Sequence, residues 1–280
     1  MKVFIRLLLI IHAVCIVHSA SAQADEQSKP NFLVFGVVPQ QSATKLAQNW
    51  IPLLNFISEK SGVTLKFATA QDIPTFEKRL ADGVYDIAYM NPYHYVVLSE
   101  KVGFEALVHE KNKKMKGIIV TNKNSQIDKL EDLSQQTIAF PAPAAFAATL
   151  IPKANLNNKN ISFESQYVNS HDAVYRNIAE GRFIAGGGIM RTFNALPDQL
   201  KNELKIIWTS DGYTPHAIAT FPHVDDLIRQ KLRDAFLAVD ISVSSKTFLS
   251  PLGMQGFQQA EDDEWYDVRC LGIHLMLGQH

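Results

Sequence analysis

Apolar residues recur along this chain in two alternating periods. Phe32-Leu-Val-Phe-Gly-Val-Val38 is a continuous apolar run stopped by Pro39, the pattern of a buried strand. Behind the capping candidates Ser42 and Thr44, apolar residues at 46, 47, 50, 53, 54 and 57 keep helical spacing, and Gly62 closes the helix. Val63–Phe67 then alternates as a strand, and Thr75–Leu80 reads as a short helix ending near Gly83. Tyr85–Met90 is the next strand, Pro92 opens a helix, and Phe104–Val108 is a further strand. This succession predicts a largely parallel α/β sheet covered on both faces. Ligands of such sheets sit beyond the carboxyl ends of the strands, which singles out the loops Pro39–Ser42, Ala70–Thr75 and Met90–Tyr95.

A second unit of the same kind starts near Gly117. Strands are expected at Gly117–Thr121, Thr137–Phe140, Phe163–Val168, Phe183–Gly186 and Lys205–Trp208. Ile127, Leu130 and Leu133 mark a helical turn; helices follow over Ala144–Leu156, despite Pro152, and from Asn169-Ser-His-Asp172 to Gly181. The chain then runs through His216–Thr220 into a helix at Asp225–Val239, with more helix around Gly256 and Trp265. Two units imply two crossings, near Lys116–Thr121 and Tyr213–Thr220. The first lobe then takes residues 30–116 and 221–280, the second residues 117–220. Paired crossings permit rigid-body closure.

The leader changes the compartment. Lys2 and Arg6 precede an apolar run, Leu7–Val17, and Ser19-Ala-Ser-Ala22 supplies small residues for cleavage. That is the anatomy of a secretory signal peptide over residues 1–22, cut after Ala22 or Ala24, and it predicts a periplasmic protein. A retained anchor is the alternative, although the run is short for a bilayer span. Val14 before Cys15 argues against a lipoprotein site. Export leaves Cys270 alone, so no intramolecular disulfide is expected. It also leaves 25 basic against 28 acidic residues, a balance that points away from nucleic acid. The one basic cluster, at residues 111–116, reads as a solvated loop, and a monomer is expected.

Motifs for catalysis are absent. Gly186-Gly-Gly188 lacks the Lys and Ser/Thr of a phosphate loop, and no Gly-x-Ser-x-Gly elbow occurs. Cys270 and His274 share a helix face but have no companion ligands. No metal, cofactor or enzymatic activity is expected.

Four stretches stand in a recognisable order: residues 50–54 (Trp-Ile-Pro-Leu-Leu), 82–88 (Asp-Gly-Val-Tyr-Asp-Ile-Ala), 124–133 and 170–181 (Ser-His-Asp-Ala-Val-Tyr-Arg-Asn-Ile-Ala-Glu-Gly). Together they make the chain, over about residues 31 to 245, resemble the phosphate/phosphite/phosphonate-binding family of periplasmic ABC-transporter receptors. The resemblance implies a type II periplasmic-binding-protein fold, two α/β lobes joined by two hinge crossings. It also implies a small-molecule ligand held between the lobes and delivered to a membrane ABC permease. A periplasmic sensor that presents its closed form to a membrane signalling protein is the alternative reading. An enzyme resembling the pyrimidine-synthesis proteins of thiamine metabolism is a third.

The family's anion site uses a Ser-Thr-Ser cluster at a helix start, which here falls on Ala145, Phe146 and Ala147, with Thr149 the nearest hydroxyl. Its cleft histidine matches His171. The aromatic residue of its second βα loop corresponds to Ile73, and an acidic residue near the second crossing to His216. The acidic residue after the Ser-His-Asp helix has given way to Phe183-Ile-Ala-Gly-Gly-Gly188, making Gly187 a candidate for close backbone approach, unless the glycines only form a permissive turn. Read from the residues themselves, His171 either donates to a ligand or merely helps cap its helix. Asn91, Tyr93, His94 and Tyr95 follow a strand on the ligand edge, and at least one is expected to line the cleft, the tyrosines being equally suited to the core.

Overall fold

The computed structural model describes residues 32–239 and 245–272. The leader with its cleavage site and Cys15, and also His274, lie outside the described residues. In chain order the strands are β1 (Leu33–Val37), β2 (Leu65–Ala68), β3 (Ile87–Met90), β4 (Glu105–Glu110), β5 (Gly117–Asn122), β6 (Gln136–Phe140), β7 (Phe163–Tyr167), β8 (Ala185–Ile189), β9 (Leu204–Thr209), β10 (Ala217–Thr220) and β11 (Phe257–Gln259). They form a six-stranded sheet ordered β11-β4-β10-β3-β1-β2 and a five-stranded sheet ordered β7-β6-β8-β5-β9.

Both sheets are mixed, a departure from the largely parallel expectation. β2-β1-β3 and β7-β6-β8 run parallel, whereas β10 opposes β3 and β4, β11 opposes β4, and β5 opposes β8 and β9. The reason lies in the connections. Parallel neighbours need a crossover helix, but β5 and β10 are each entered directly from the other sheet and so run against their neighbours.

The helices of the first sheet are α1 (Ala43–Ser61), α2 (Ile73–Ala81) and α3 (Pro92–Lys101). Each opens on a side-chain cap at the end of a strand. Ser42, Asp72 and Asn91 accept from the backbone N–H of Lys45, Thr75 and His94, so the chain turns into helix where β1, β2 and β3 leave the sheet. Gly62, at φ 71°, supplies the left-handed residue that ends α1. Leu46, Trp50, Leu53, Leu54 and Ile57 of α1 are buried, as their spacing predicts.

Around the second sheet, a π turn at Phe146–Leu150 runs directly into α4 (Ile151–Asn158). Pro152 has no N–H to bond backwards, which favours a widened turn just ahead of it. The carbonyls of Ala147 and Ala148 instead lie against Gly117 and Gly187, where an added Cβ would sit 2.1 and 2.0 Å from them. α5 (His171–Ala179) is capped by Ser170, which accepts from Ala173 N–H at 3.1 Å. Two short helices that sequence reading misses follow, α6 (Met190–Asn194) and α7 (Asp198–Asn202). One face of this sheet is covered by Val174, Tyr175 and Ile178, the other by Leu130, Leu133 and Leu156.

The remainder of the chain, α8 (Asp226–Leu237), α9 (Ser245–Leu252), β11 and α10 (Tyr266–Arg269), returns to the first sheet. Helix was expected around Gly256. Instead Gly256, at φ 123°, turns the chain into β11, whose backbone satisfies the edge of β4.

Two segments join the sheets, residues 111–116 and 210–216. They lie just before the crossings expected at 116–121 and 213–220, because Gly117–Asn122 and Ala217–Thr220 are sheet strands. β10 therefore belongs with the first sheet, although residues 117–220 were grouped with the second. The two straps pair: Met115 N–H donates to Tyr213 O at 2.7 Å and Tyr213 N–H to Met115 O at 2.9 Å. The tail grips them. Thr214 N–H donates to Asp267 Oδ2 at 2.8 Å, Thr214 Oγ1 to Glu264 O at 2.7 Å, and Trp265 Nε1 to Pro215 O at 2.9 Å.

Candidate functional site

Five loops meet between the sheets. From the first sheet come Gln40, Ile73 and Asn91, one from each of the three loops that follow β1, β2 and β3. From the second come Ala145–Ala148 after β6 and His171 after β7, while His216 reaches in from the second strap. They enclose a cavity of about 230 Å³ whose centre has room for on the order of one water. Hydrogen bonds cross this gap directly. Asn91 Nδ2 donates to Ala144 O at 3.1 Å, and His171 N–H donates to Gln40 O at 3.2 Å.

No lining residue of this cavity is Lys, Arg, Asp or Glu. Its polarity comes from amides, backbone and two imidazoles. Burial pushes the His171 pKa down to about 3, so the ring is neutral; Nδ1 lies 3.3 Å from Thr192 Oγ1. Burial also holds His216 well below the usual histidine range, with Arg191, His94 and His171 adding repulsion. Gln40 Nε2 donates to His216 Nε2 at 3.0 Å, which makes Nε2 the acceptor and places the ring proton on Nδ1. That Nδ1 is buried and has no partner. The His216 ring stacks on Tyr89, with centroids 4.7 Å apart and planes 11° apart.

At the start of the π turn, Thr149 N–H and Leu150 N–H both bond back to Ala145 O. The N–H groups of Phe146, Ala147 and Ala148 precede them and have no acceptor within the helix. They line the gap with the positive end of a helix that continues to Asn158. The side chains that accompany that backbone are the methyl groups of Ala145, Ala147 and Ala148 and the Phe146 ring.

Ile73, Asn91, Ala145, Phe146, Ala147, His171 and His216 thus come together at one gap. The other candidates do not line it. Tyr95 lies one turn into α3 and points to the tail, donating to Asp262 Oδ1 at 2.8 Å and packing on Trp265 at 4.4 Å. His94 turns back to Glu77, with Nε2 to Oε1 at 2.9 Å, and Tyr93 packs at its edge. Thr149 is fully buried beneath the π turn with its hydroxyl unpartnered. Gly187 sits mid-strand in β8, where the absent side chain admits the carbonyl of Ala148; the glycine run is neither a turn nor a surface on the gap. Cys270 is exposed at the end of α10. Among the described residues no group of three His, Cys, Asp or Glu side chains is placed to hold a metal ion.

Gln40 and Tyr89 escape residue-by-residue reading. Gln40 had a usable signal, since it follows Pro39 in the first βα loop. Tyr89 and the nearby Arg191 had none, because their neighbours at the gap come from the opposite sheet.

Comparison with known proteins agrees with this fold. Residues 35–266 match the family model of the ABC-transporter phosphonate periplasmic substrate-binding protein. The phosphonates-binding periplasmic protein of Escherichia coli K12 is 23% identical over 90% of this chain and 78% of its own length. The phosphate-import protein PhnD of Mycolicibacterium smegmatis is 20% identical over 87% and 81%. PhnD1 of Prochlorococcus marinus, solved in complex with methylphosphonate, superposes with a TM-score of 0.80 at 19% identity, covering 89% of this chain and 99% of that one. The fold is that of the type II periplasmic binding proteins, two α/β lobes joined by two crossings. Among the described residues no helix is long and apolar enough to cross a membrane. With the family model spanning most of its length, the chain belongs to the periplasmic substrate-binding proteins of phosphonate ABC transporters.

Proposed function

We propose that this chain is an exported, monomeric receptor that captures a small oxyanion, phosphonate- or phosphate-like, between its lobes and delivers it to a membrane ABC permease. One observation carries the reading: His216, whose Nδ1 is a buried donor with no partner, lines the same gap as Phe146–Ala148, whose N–H groups have no acceptor within the helix. A helix start and a neutral imidazole donor suit an oxyanion without a formal counter-charge. Ala145–Ala148 carry no hydroxyl, which makes backbone the principal anchor, and the methyl and phenyl groups around it favour a ligand with an apolar part. Entry requires the lobes to part, since the closed gap holds only about one water, and the paired straps at Met115 and Tyr213 are where that motion is absorbed.

Thermal unfolding with millimolar methylphosphonate or inorganic phosphate tests this. A ligand at about 100 times its Kd adds roughly 2.7 kcal/mol of stability, a rise of several degrees. No rise with either anion, relative to equimolar chloride, would refute oxyanion capture.

A further inference from the structure

A second cavity adjoins the gap. Val38 and Gln40 border both, and its interior of about 40 Å³ opens into a mouth that brings the whole to about 440 Å³. Its walls are Trp50 and Tyr89 on one side, Arg191 and Thr192 on the other, with Leu252 and Met254 closing the end. Two donors face it. Tyr89 is 5% exposed, and its hydroxyl is buried without a partner. Burial pushes that hydroxyl up to about 12, so it keeps its proton. Arg191 spends one N–H on Leu252 O at 3.1 Å and a second on Glu110, leaving three of its five.

Charge decides what this cavity takes. Glu110 is almost wholly buried and already balances Arg191. A carboxylate arriving there would add an uncompensated buried negative charge, and an ammonium would meet the guanidinium. An uncharged acceptor suits these donors, and the indole and aliphatic walls suit a short methylene chain. We infer that this cavity is a subsite for the ligand's tail, and that the preferred ligand is a phosphonate with a short alkyl tail ending in an uncharged hydroxyl or amide group. This rests on the proposed capture of an oxyanion in the adjoining gap.

Four probes test it by calorimetry: methylphosphonate, 3-hydroxypropylphosphonate, 3-aminopropylphosphonate and 3-phosphonopropionate. The hydroxyl-tailed probe is expected to bind about tenfold tighter than methylphosphonate, and both charged tails more weakly than the hydroxyl tail. Tyr89→Phe, which removes only the unpartnered hydroxyl, is expected to erase most of the hydroxyl tail's advantage over methylphosphonate. Equal affinities for methyl and hydroxypropyl tails, or tighter binding of either charged tail, would overturn the subsite while leaving oxyanion capture standing. The same holds if Tyr89→Phe weakens every probe alike. No binding by any probe would remove oxyanion capture itself, and the subsite with it.

Discussion

The strap end and the gap are both polar, buried and built from loops, yet their hydrogen bonding differs. At the straps, Met115, Tyr213, Thr214 and Pro215 find partners in each other or in the tail, where Asp267 Oδ1 is left over. At the gap His216 Nδ1, and in the adjoining cavity the Tyr89 hydroxyl and Gln41 Nε2, are buried polar atoms with no partner. Buried polar groups in folded proteins are overwhelmingly paired, so a local excess of unpaired ones marks a surface completed by something else. That contrast is what the proposed hinge and the proposed ligand gap would require.

Substitutions on the two sides should therefore behave differently. The largest effect is expected at the clamp on the straps. Trp265 is fully buried, packs on Tyr95 and His109, and donates to Pro215 O. Trp265→Ala should cost roughly 3–5 kcal/mol in urea unfolding, the range for truncating a core aromatic. Thr214→Val removes a hydroxyl bonded at 2.7 Å to Glu264 O and at 3.1 Å to Asp267 Oδ2, and should cost about 1.5–3 kcal/mol.

In the gap, pH is the gentler lever. The unfolded chain takes up a proton at a histidine near pH 6.5, whereas folded His171 does so only near 3. Within that window the unfolded state binds more protons. Stability from His171 is intact above about pH 6.5 and declines as pH falls toward 3, at up to about 1.4 kcal/mol per pH unit. His216 acts in the same direction. His171→Gln should flatten the dependence of unfolding free energy on pH between 6 and 4, within the window those shifts define; an unchanged slope would show that the ring is not held neutral. Smallest is Thr149→Val, which deletes an unpartnered hydroxyl at constant shape. It should leave stability unchanged or raise it by about 1 kcal/mol, the reverse of Thr214→Val. A loss comparable to that at Thr214 would erase the contrast between the two regions.

Much of the lobe structure was legible because its punctuation is chemical. Ser42, Asp72 and Ser170 cap helices where strands end, so the first-sheet loops could be nominated before any geometry was known, and Gln40, Ile73 and Asn91 of those loops do converge. Strand direction was not legible: a short apolar run such as Ala217–Thr220 has the same composition whichever way it runs. Within Asn91–Tyr95, the sequence gives polar and aromatic groups but not which turn of α3 faces the gap; Asn91 does at the cap, and Tyr95 one turn later meets the tail. Arg191 stayed hidden because its meaning depends on Glu110, 81 residues away in the chain.

Calorimetric titration of methylphosphonate and inorganic phosphate into the wild-type protein and into His216→Phe probes the gap itself. One saturable site is expected in the wild type, with Kd at least about tenfold higher in a variant that keeps the ring stack on Tyr89 but loses the free Nδ1–H, about 1.4 kcal/mol or more. Thermal unfolding of the variant establishes that it is folded. No saturable heat with either anion, or the same Kd in both proteins, would contradict the reading of this gap as an oxyanion site.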